Sequence, residues 1–132
     1  MSLYSATTQG IRIQVTPTFL AEQSDAANDD YVWSYTVEIE NNSAVTVQLT
    51  ARRWQITDRN GITQIVQGAG VVGEQPILHQ GDSFTYTSGC PLSTPSGLMQ
   101  GTYRMVTLEG EVFEANIPAF SLDSPFEIRV MN

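Results

Sequence analysis

Residues 31–40 read YVWSYTVEIE, and this stretch limits the fold more than any other. Tyr31, Trp33, Tyr35, Val37 and Ile39 fall on one side of an extended chain, and Val32, Ser34, Thr36, Glu38 and Glu40 fall on the other. A repeat of two is the period of a pleated strand; a helix would group apolar residues three and four apart. Aromatic and β-branched side chains supply the apolar face, as a pleated surface prefers.

The alternation recurs along the chain. Ile11, Ile13 and Val15 alternate with Arg12, Gln14 and Thr16. Pro17 interrupts that run, and Phe19-Leu20 resumes it on an edge, where a missing N–H is tolerated. Ala21–Asp30 is a polar loop without the apolar stripe of a packed helix. Asn41-Asn42-Ser43 makes a turn. Val45, Val47, Leu49 and Ala51 are apolar at odd positions, whereas Trp54 and Ile56 are even. A slip of one residue would turn the core face outward, so a β-bulge near Arg52-Arg53, or burial on both sides there, is expected. Asn60-Gly61 is a strong hairpin signal, with Ile62–Val66 returning. Phe84 and Tyr86 mark a strand, 88–97 (SGCPLSTPSG) a loop, Met99–Leu108 a strand, and Val112–Ile117 another that Pro118 ends. Phe126, Ile128 and Val130 form a last edge strand. This pattern of about seven to nine strands, with no helix to make a parallel crossover, predicts an all-β antiparallel sandwich.

Size and charge narrow the functional classes. At 132 residues the chain is one domain, 1–132, with residues 1–8 expected to be loosely ordered. Six arginines, no lysine and fourteen acidic residues give a net charge of −8. Such a field repels nucleic acid and anionic lipid, so neither is an expected partner. Cys90 is the one cysteine, which rules out an intramolecular disulfide and suits a reducing compartment. The first residues lack the basic start and apolar centre of a signal peptide, and no apolar run is long enough to span a membrane. A cytoplasmic location is the expectation.

Several segments together resemble the ApaG family, also called CorD: Tyr31–Val37 (YVWSYTV), Leu49–Thr57 (LTARRWQIT), Val66–Pro76 (VQGAGVVGEQP), Tyr86–Gly89 (YTSG) and Thr94–Tyr103 (TPSGLMQGTY). The resemblance runs over nearly the whole chain, in order. It implies a fibronectin type III-like (immunoglobulin-like) β-sandwich, in agreement with the strand pattern. It also implies a gene neighbourhood linked to diadenosine tetraphosphate metabolism and cobalt sensitivity. Related domains in eukaryotic F-box proteins and a DNA-polymerase-interacting protein point to protein binding. No catalytic residues come with the resemblance.

Two constellations stand out as binding candidates, for a protein partner or an anion. The first is Gly68-x-Gly70-x-x-Gly73, with Val71 and Val72 between the glycines. Its spacing is that of a dinucleotide fingerprint, which needs a helix opening inside the glycines to meet the pyrophosphate. Pro76 arrives three residues after Gly73, so no such helix fits, and the chain has no lysine for a P-loop. The glycines are therefore expected to serve a connection between strands, with a backbone anion nest as the alternative. Val71-Val72 is expected to form an exposed apolar tip. The second constellation is Arg52-Arg53 beside Trp54, able to grip phosphate or to stack on an aromatic ring; the plain structural reading is an outward Arg next to a core Trp.

Catalytic chemistry finds little support. A Ser-His-Asp arrangement needs a positioned base, and His79 is the only histidine, in a polar turn. Cys90 reads as a buried or half-buried thiol. One His and one Cys do not make a metal site, and Asp29-Asp30 and Glu109, Glu111 and Glu114 read as solvated faces. No metal and no cofactor are expected. Tyr103, after Gly101-Thr102, resembles the tyrosine corner of immunoglobulin-like sandwiches, a stabilising feature in which the hydroxyl bonds to backbone. The reading that follows is a non-enzymatic protein–protein interaction module working through the glycine loop and an exposed sandwich edge. Pairing of edge strands into a homodimer is left open. The alternative is weak binding or hydrolysis of a nucleotide or pyrophosphate, such as a dinucleoside polyphosphate.

Overall fold

The computed structural model describes residues 4–126. Nine strands lie among them: β1 (Tyr4–Thr8), β2 (Ile11–Phe19), β3 (Tyr31–Asn41), β4 (Val47–Asp58), β5 (Thr63–Ala69), β6 (Ile77–Leu78), β7 (Ser83–Leu92), β8 (Gly97–Thr107) and β9 (Val112–Leu122). One antiparallel sheet has the order β1-β2-β3-β7; the other has the order β5-β4-β8-β9, with β6 also pairing on β4. The sandwich inferred from the alternating pattern is the fold. Residues 21–23 and 26–28 form single 3-10 turns, neither with a buried residue.

Several boundaries differ from the sequence expectation, each for a local reason. Tyr4–Thr8 is ordered as a strand, because its backbone pairs with Ile11–Val15 across a tight turn at Gln9-Gly10. Pro17 stays inside β2, at a level beyond the end of β1, so the edge tolerates its missing N–H. The expected loop at 88–97 shrinks to residues 93–96. β7 runs on to Leu92 as an edge strand, where Pro91 opposite Val32 costs no central ladder bond. Pro118 does not end β9 but sits at a shift in the β8–β9 register. The last edge strand expected at Phe126–Val130 lies, beyond Phe126, outside the described residues, and Phe126 itself is in a turn.

The core is where the two inner faces meet. Every odd residue of β3 from Tyr31 to Asn41 is buried, as its two-residue repeat requires. Trp33 is 1% exposed, and its Nε1 donates to the Asp123 carbonyl at 2.8 Å. Phe120 lies at the centre of an aromatic group, with ring centroids 6.0 Å from Tyr4, 6.1 Å from Tyr35 and 5.9 Å from Trp54. Asn41 is a fully buried polar side chain in this core. Its Nδ2 donates to the carbonyls of Val45 and Leu78, and its Oδ1 accepts from the backbone N–H and hydroxyl of Ser43. All its hydrogen-bonding capacity is met, so burial carries no unsatisfied-group penalty. It ties the end of β3 to the following turn and to β6.

The two long sides of the sandwich are unlike. On one side β1 and β2 lie against β9, and the Thr8 hydroxyl accepts from the Asn116 N–H at 3.1 Å. On the other side the edges are β5 and β7, and no comparable contact brings β5 onto β7. The sandwich is closed on the first side and open on the second.

Removing the aromatic centre tests this packing. Phe120→Ala should cost about 3–5 kcal/mol in urea unfolding, the range for an aromatic deleted from a closed core. Val112→Ala, on an exposed position of β9, should stay within about 0.5 kcal/mol.

Candidate functional site

The glycine stretch lies on the open side and interrupts an edge strand. β5 pairs with β4 from Thr57 back to Ala51, and β6 pairs with Gln48 and Val47 further along the same edge. Between them the chain leaves at Gly70, whose N–H donates to the Thr50 carbonyl. It returns at Pro76, whose carbonyl accepts from the Leu49 N–H. The excursion closes on itself, because Val71 and Glu74 exchange backbone hydrogen bonds at 2.8 Å each way. Val72 and Gly73, with φ of 42° and 81°, are the two central residues of this turn. Positive φ at both is the two-residue turn that suits the strand twist, but a β-branched residue rarely adopts it. Gly70, at φ 61°, has no room for a side chain, since a Cβ would run into the Glu74 carbonyl oxygen.

The expectation of an exposed Val71-Val72 tip is half right. Val71 is fully buried and belongs to the core, while Val72 is 54% exposed at the tip. Val71 stands at the base of the turn, where its backbone pairs with Glu74, and Val72 is carried out to its tip. The amides of Gly70, Val71 and Glu74 are all bonded to backbone carbonyls.

Arg52 and Arg53 part in the same way. The β-bulge lies between Leu49 and Ala51, with Thr50 as the extra residue, two positions before the place expected from sequence. Beyond it the even residues face inward. Arg52 is therefore on the inner face with Trp54 and Ile56, while Arg53 is on the outer face near Gln67, Arg104 and Glu114. The two side chains leave opposite faces of β4, although both residues border one small pocket with Gln67, Arg104 and Glu114. Arg52, expected to point outward, is half-buried, and its Nη1 donates to the carbonyls of Ala69 and Gly70 at 3.0 and 2.9 Å. Its guanidinium lies over Gly68, where an added Cβ would be 2.8 Å from Nη2. So Gly68 is glycine for space, and Arg52 and the glycine stretch form one unit.

Behind Arg52 lie three tyrosines. The hydroxyls of Tyr86 and Tyr103 are hydrogen-bonded to each other in the core, so Tyr103 bonds a side chain rather than the backbone expected of a tyrosine corner. Burial raises the pKa of Tyr35, Tyr86 and Tyr103 above the usual phenol value, and the nearby Arg52 charge opposes the rise only in part. Burial also pushes the Cys90 thiol up to about 11. His79 sits on the surface, its Nδ1 3.0 Å from Asp82 Oδ2. The Asp82 carboxyl is held below its usual value, first by the His79 backbone N–H and then by the ring. Among the described residues no group of three His, Cys, Asp or Glu side chains is placed to hold a metal ion.

A family model described as the ApaG domain matches residues 21–107. The chain belongs to the ApaG domain family. It is 61% identical over 130 residues to the protein named Protein ApaG from Methylocella silvestris, and 59% identical over 130 residues to that from Beijerinckia indica; each match covers 98% of this chain and 100% of the relative. A solved structure described as an ApaA protein from Bordetella pertussis is 44% identical, covers 94% of this chain and 98% of that one, and has a TM-score of 0.84. The C-terminal domain of Wzt covers 96% of this chain and 80% of that one with a TM-score of 0.56, but at 8% identity it shares the fold alone.

Within this ApaG domain, sequence reasoning missed the inner-face neighbours of Arg52. Trp54 was read only as core, yet its Nε1 is buried with no hydrogen-bond partner among the described residues. Tyr35 and Ser88 come from the other sheet, and no local signal links them to Arg52. The parity flip before Trp54 was the one clue, since counting back by two from Trp54 puts Arg52 inside.

The buried phenols and thiol give a definite pH response. Each must stay protonated in the folded chain, whereas in the unfolded chain Cys90 ionises near 9.0 and the tyrosines near 10.0. Stability from keeping them neutral is intact below pH 9 and is lost as pH rises through the window up to their folded values. The unfolding free energy from urea melts should be level from pH 7 to about 9 and then fall, by about 1.4 kcal/mol per pH unit for each group ionised only in the unfolded state. A midpoint unchanged up to about pH 11 would contradict these environments.

Proposed function

We propose that this ApaG domain is a non-enzymatic binding module that takes a protein partner by strand addition along β5, with Val72 at the tip of the contact. The carrying observation is the character of that edge. β5 (TQIVQGA) has neither a charge nor a proline, in a chain with a net charge of −8. Sheet edges are usually blunted by charges, proline or a covering segment, because an open row of backbone groups recruits other strands. Here Ile62, Ile65, Val66, Val72 and Ile77 are all between 40% and 64% exposed along one edge. Main-chain pairing would supply affinity and the exposed side chains would supply selection, as in other strand-addition modules. Val72 fits this reading: an exposed β-branched residue at positive φ is costly for the fold alone, where Asn or Gly would serve.

The nucleotide or pyrophosphate alternative draws less support. Three amides of the glycine stretch are already spent on backbone carbonyls, as is Nη1 of Arg52.

Cross-linked capture from native lysate should recover a partner with the parent chain. Ile65→Lys and Val72→Asp should each lower that recovery about tenfold or more without lowering Tm, since both side chains are exposed. A partner retained equally by both variants, or none captured at all, would count against the edge.

A further inference from the structure

The open side of the sandwich holds a cleft of about 330 Å³ that runs inward between β5 and β7. Gln64 and Val66 of β5 line it from one rim, and Ser88, Cys90 and Pro91 of β7 from the other. Tyr35, Arg52, Trp54, Ile56 and Met99 form its depth. It shares Val66 of β5 with the edge described above but opens on the inner face of that strand, and the inference does not rest on that reading.

Three features make the cleft more than a gap. The first is an uncompensated cation. Arg52 is half-buried, yet no carboxylate among the described residues is within ion-pair distance of it, and no Asp or Glu lines the cleft. Two backbone carbonyls hold Nη1 in place and leave the Nε–Nη2 side of the guanidinium without a described acceptor. A planar guanidinium fixed in this way presents two parallel N–H donors to a carboxylate. The second is an orphan donor. Trp54 is 2% exposed and lines the cleft, and its Nε1–H has no acceptor among the described residues, a rare and costly condition for a buried polar group. The third is the wall. Ile56, Val66, Pro91 and Met99 are apolar, so a ligand with an apolar body gains by entering while its charged end meets the donors.

The neighbouring cavity sets the sign at the far end. It continues the cleft past Ile56, Gln64 and Pro91 and is lined by Asp29, Asp30 and Asp58. A second anionic group on the ligand would meet these carboxylates, and a dianion would have only Arg52 to offset its desolvation. A monoanion with an uncharged apolar body satisfies both ends.

We propose that this cleft is a binding site for a small organic monocarboxylate, its carboxylate held by Arg52 next to the Trp54 indole and its apolar body lying against Ile56, Val66 and Met99. No chemistry is performed on it; the cleft recognises and retains.

The two tryptophans make the test direct. Trp33 Nε1 is bonded to the Asp123 carbonyl and serves as an internal reference, while the Trp54 indole N–H is the reporter. Phenylacetate, phenylacetamide and inorganic phosphate are titrated separately into the isotope-labelled full chain, and the indole resonances are followed by NMR. Phenylacetate should shift the Trp54 indole N–H saturably and leave Trp33 in place, with phenylacetamide about tenfold weaker or worse through loss of the charged pair. Arg52→Gln should abolish the shift. Val66→Phe, which fills the cleft from an exposed strand and leaves Arg52 intact, should abolish it too, and this variant decides the matter should Arg52→Gln not fold. Absence of a Trp54 shift at millimolar phenylacetate would overturn the proposal. So would equal binding of the amide, a phosphate response as strong as that of the carboxylate, or a shift that survives Val66→Phe.

Discussion

One extra residue, Thr50, sets up the rest of this molecule. Inserted in β4 against β8, it exchanges the inner and outer faces of the strand midway along its length. Val47 and Leu49 fill the core on one side of the bulge, and Trp54 and Ile56 fill it on the other. Because of that exchange an arginine, not an apolar residue, faces the interior at position 52. The carbonyl of Thr50 is turned to the other edge, where it accepts from the Gly70 N–H and the Gln75 side chain at 2.9 Å each. The bulge and the glycine excursion are thus two sides of one irregularity in the sheet.

Its consequences reach the surface. The chain on the edge of β4 leaves the ladder opposite Thr50, makes the tight turn at Val72-Gly73 and rejoins as β6. The return of Arg52 to the carbonyls of Ala69 and Gly70 ties the start of that excursion to the inner face. Placement of this cation at the open side, with the buried donor of Trp54 beside it, gives an acidic chain a local site of opposite character. Long-range repulsion of anions and short-range capture of one are compatible, because the first is screened by salt and the second depends on fixed, desolvated donors.

Most of the fold was legible in the sequence, because burial writes a two-residue repeat into every inner strand; Tyr31–Ile39 alone requires a sheet. What was less legible was set by partners distant in sequence. The parity change between Ala51 and Trp54 revealed a bulge, but its place at Thr50 depends on where β5 leaves and β6 returns. Pro91 suggested a loop, and only the edge position of β7 lets it remain in a strand. The candidate site was half legible. Gly68, Gly70 and Gly73 were read as conformational, which is right for Gly70 and Gly73, both at positive φ. Gly68 serves a different end, since its missing side chain makes room for Arg52. No local pattern distinguishes these two reasons for a glycine.

The central claim is that Arg52 points inward and is seated on Gly68, and a double-mutant cycle measures this directly. Gly68→Ala in the parent chain should displace the guanidinium and cost about 1–2 kcal/mol in urea unfolding. In an Arg52→Ala background the same change should be neutral or slightly stabilising, giving a coupling of about 1 kcal/mol or more. Costs that add to within about 0.5 kcal/mol would place Arg52 elsewhere and contradict the account.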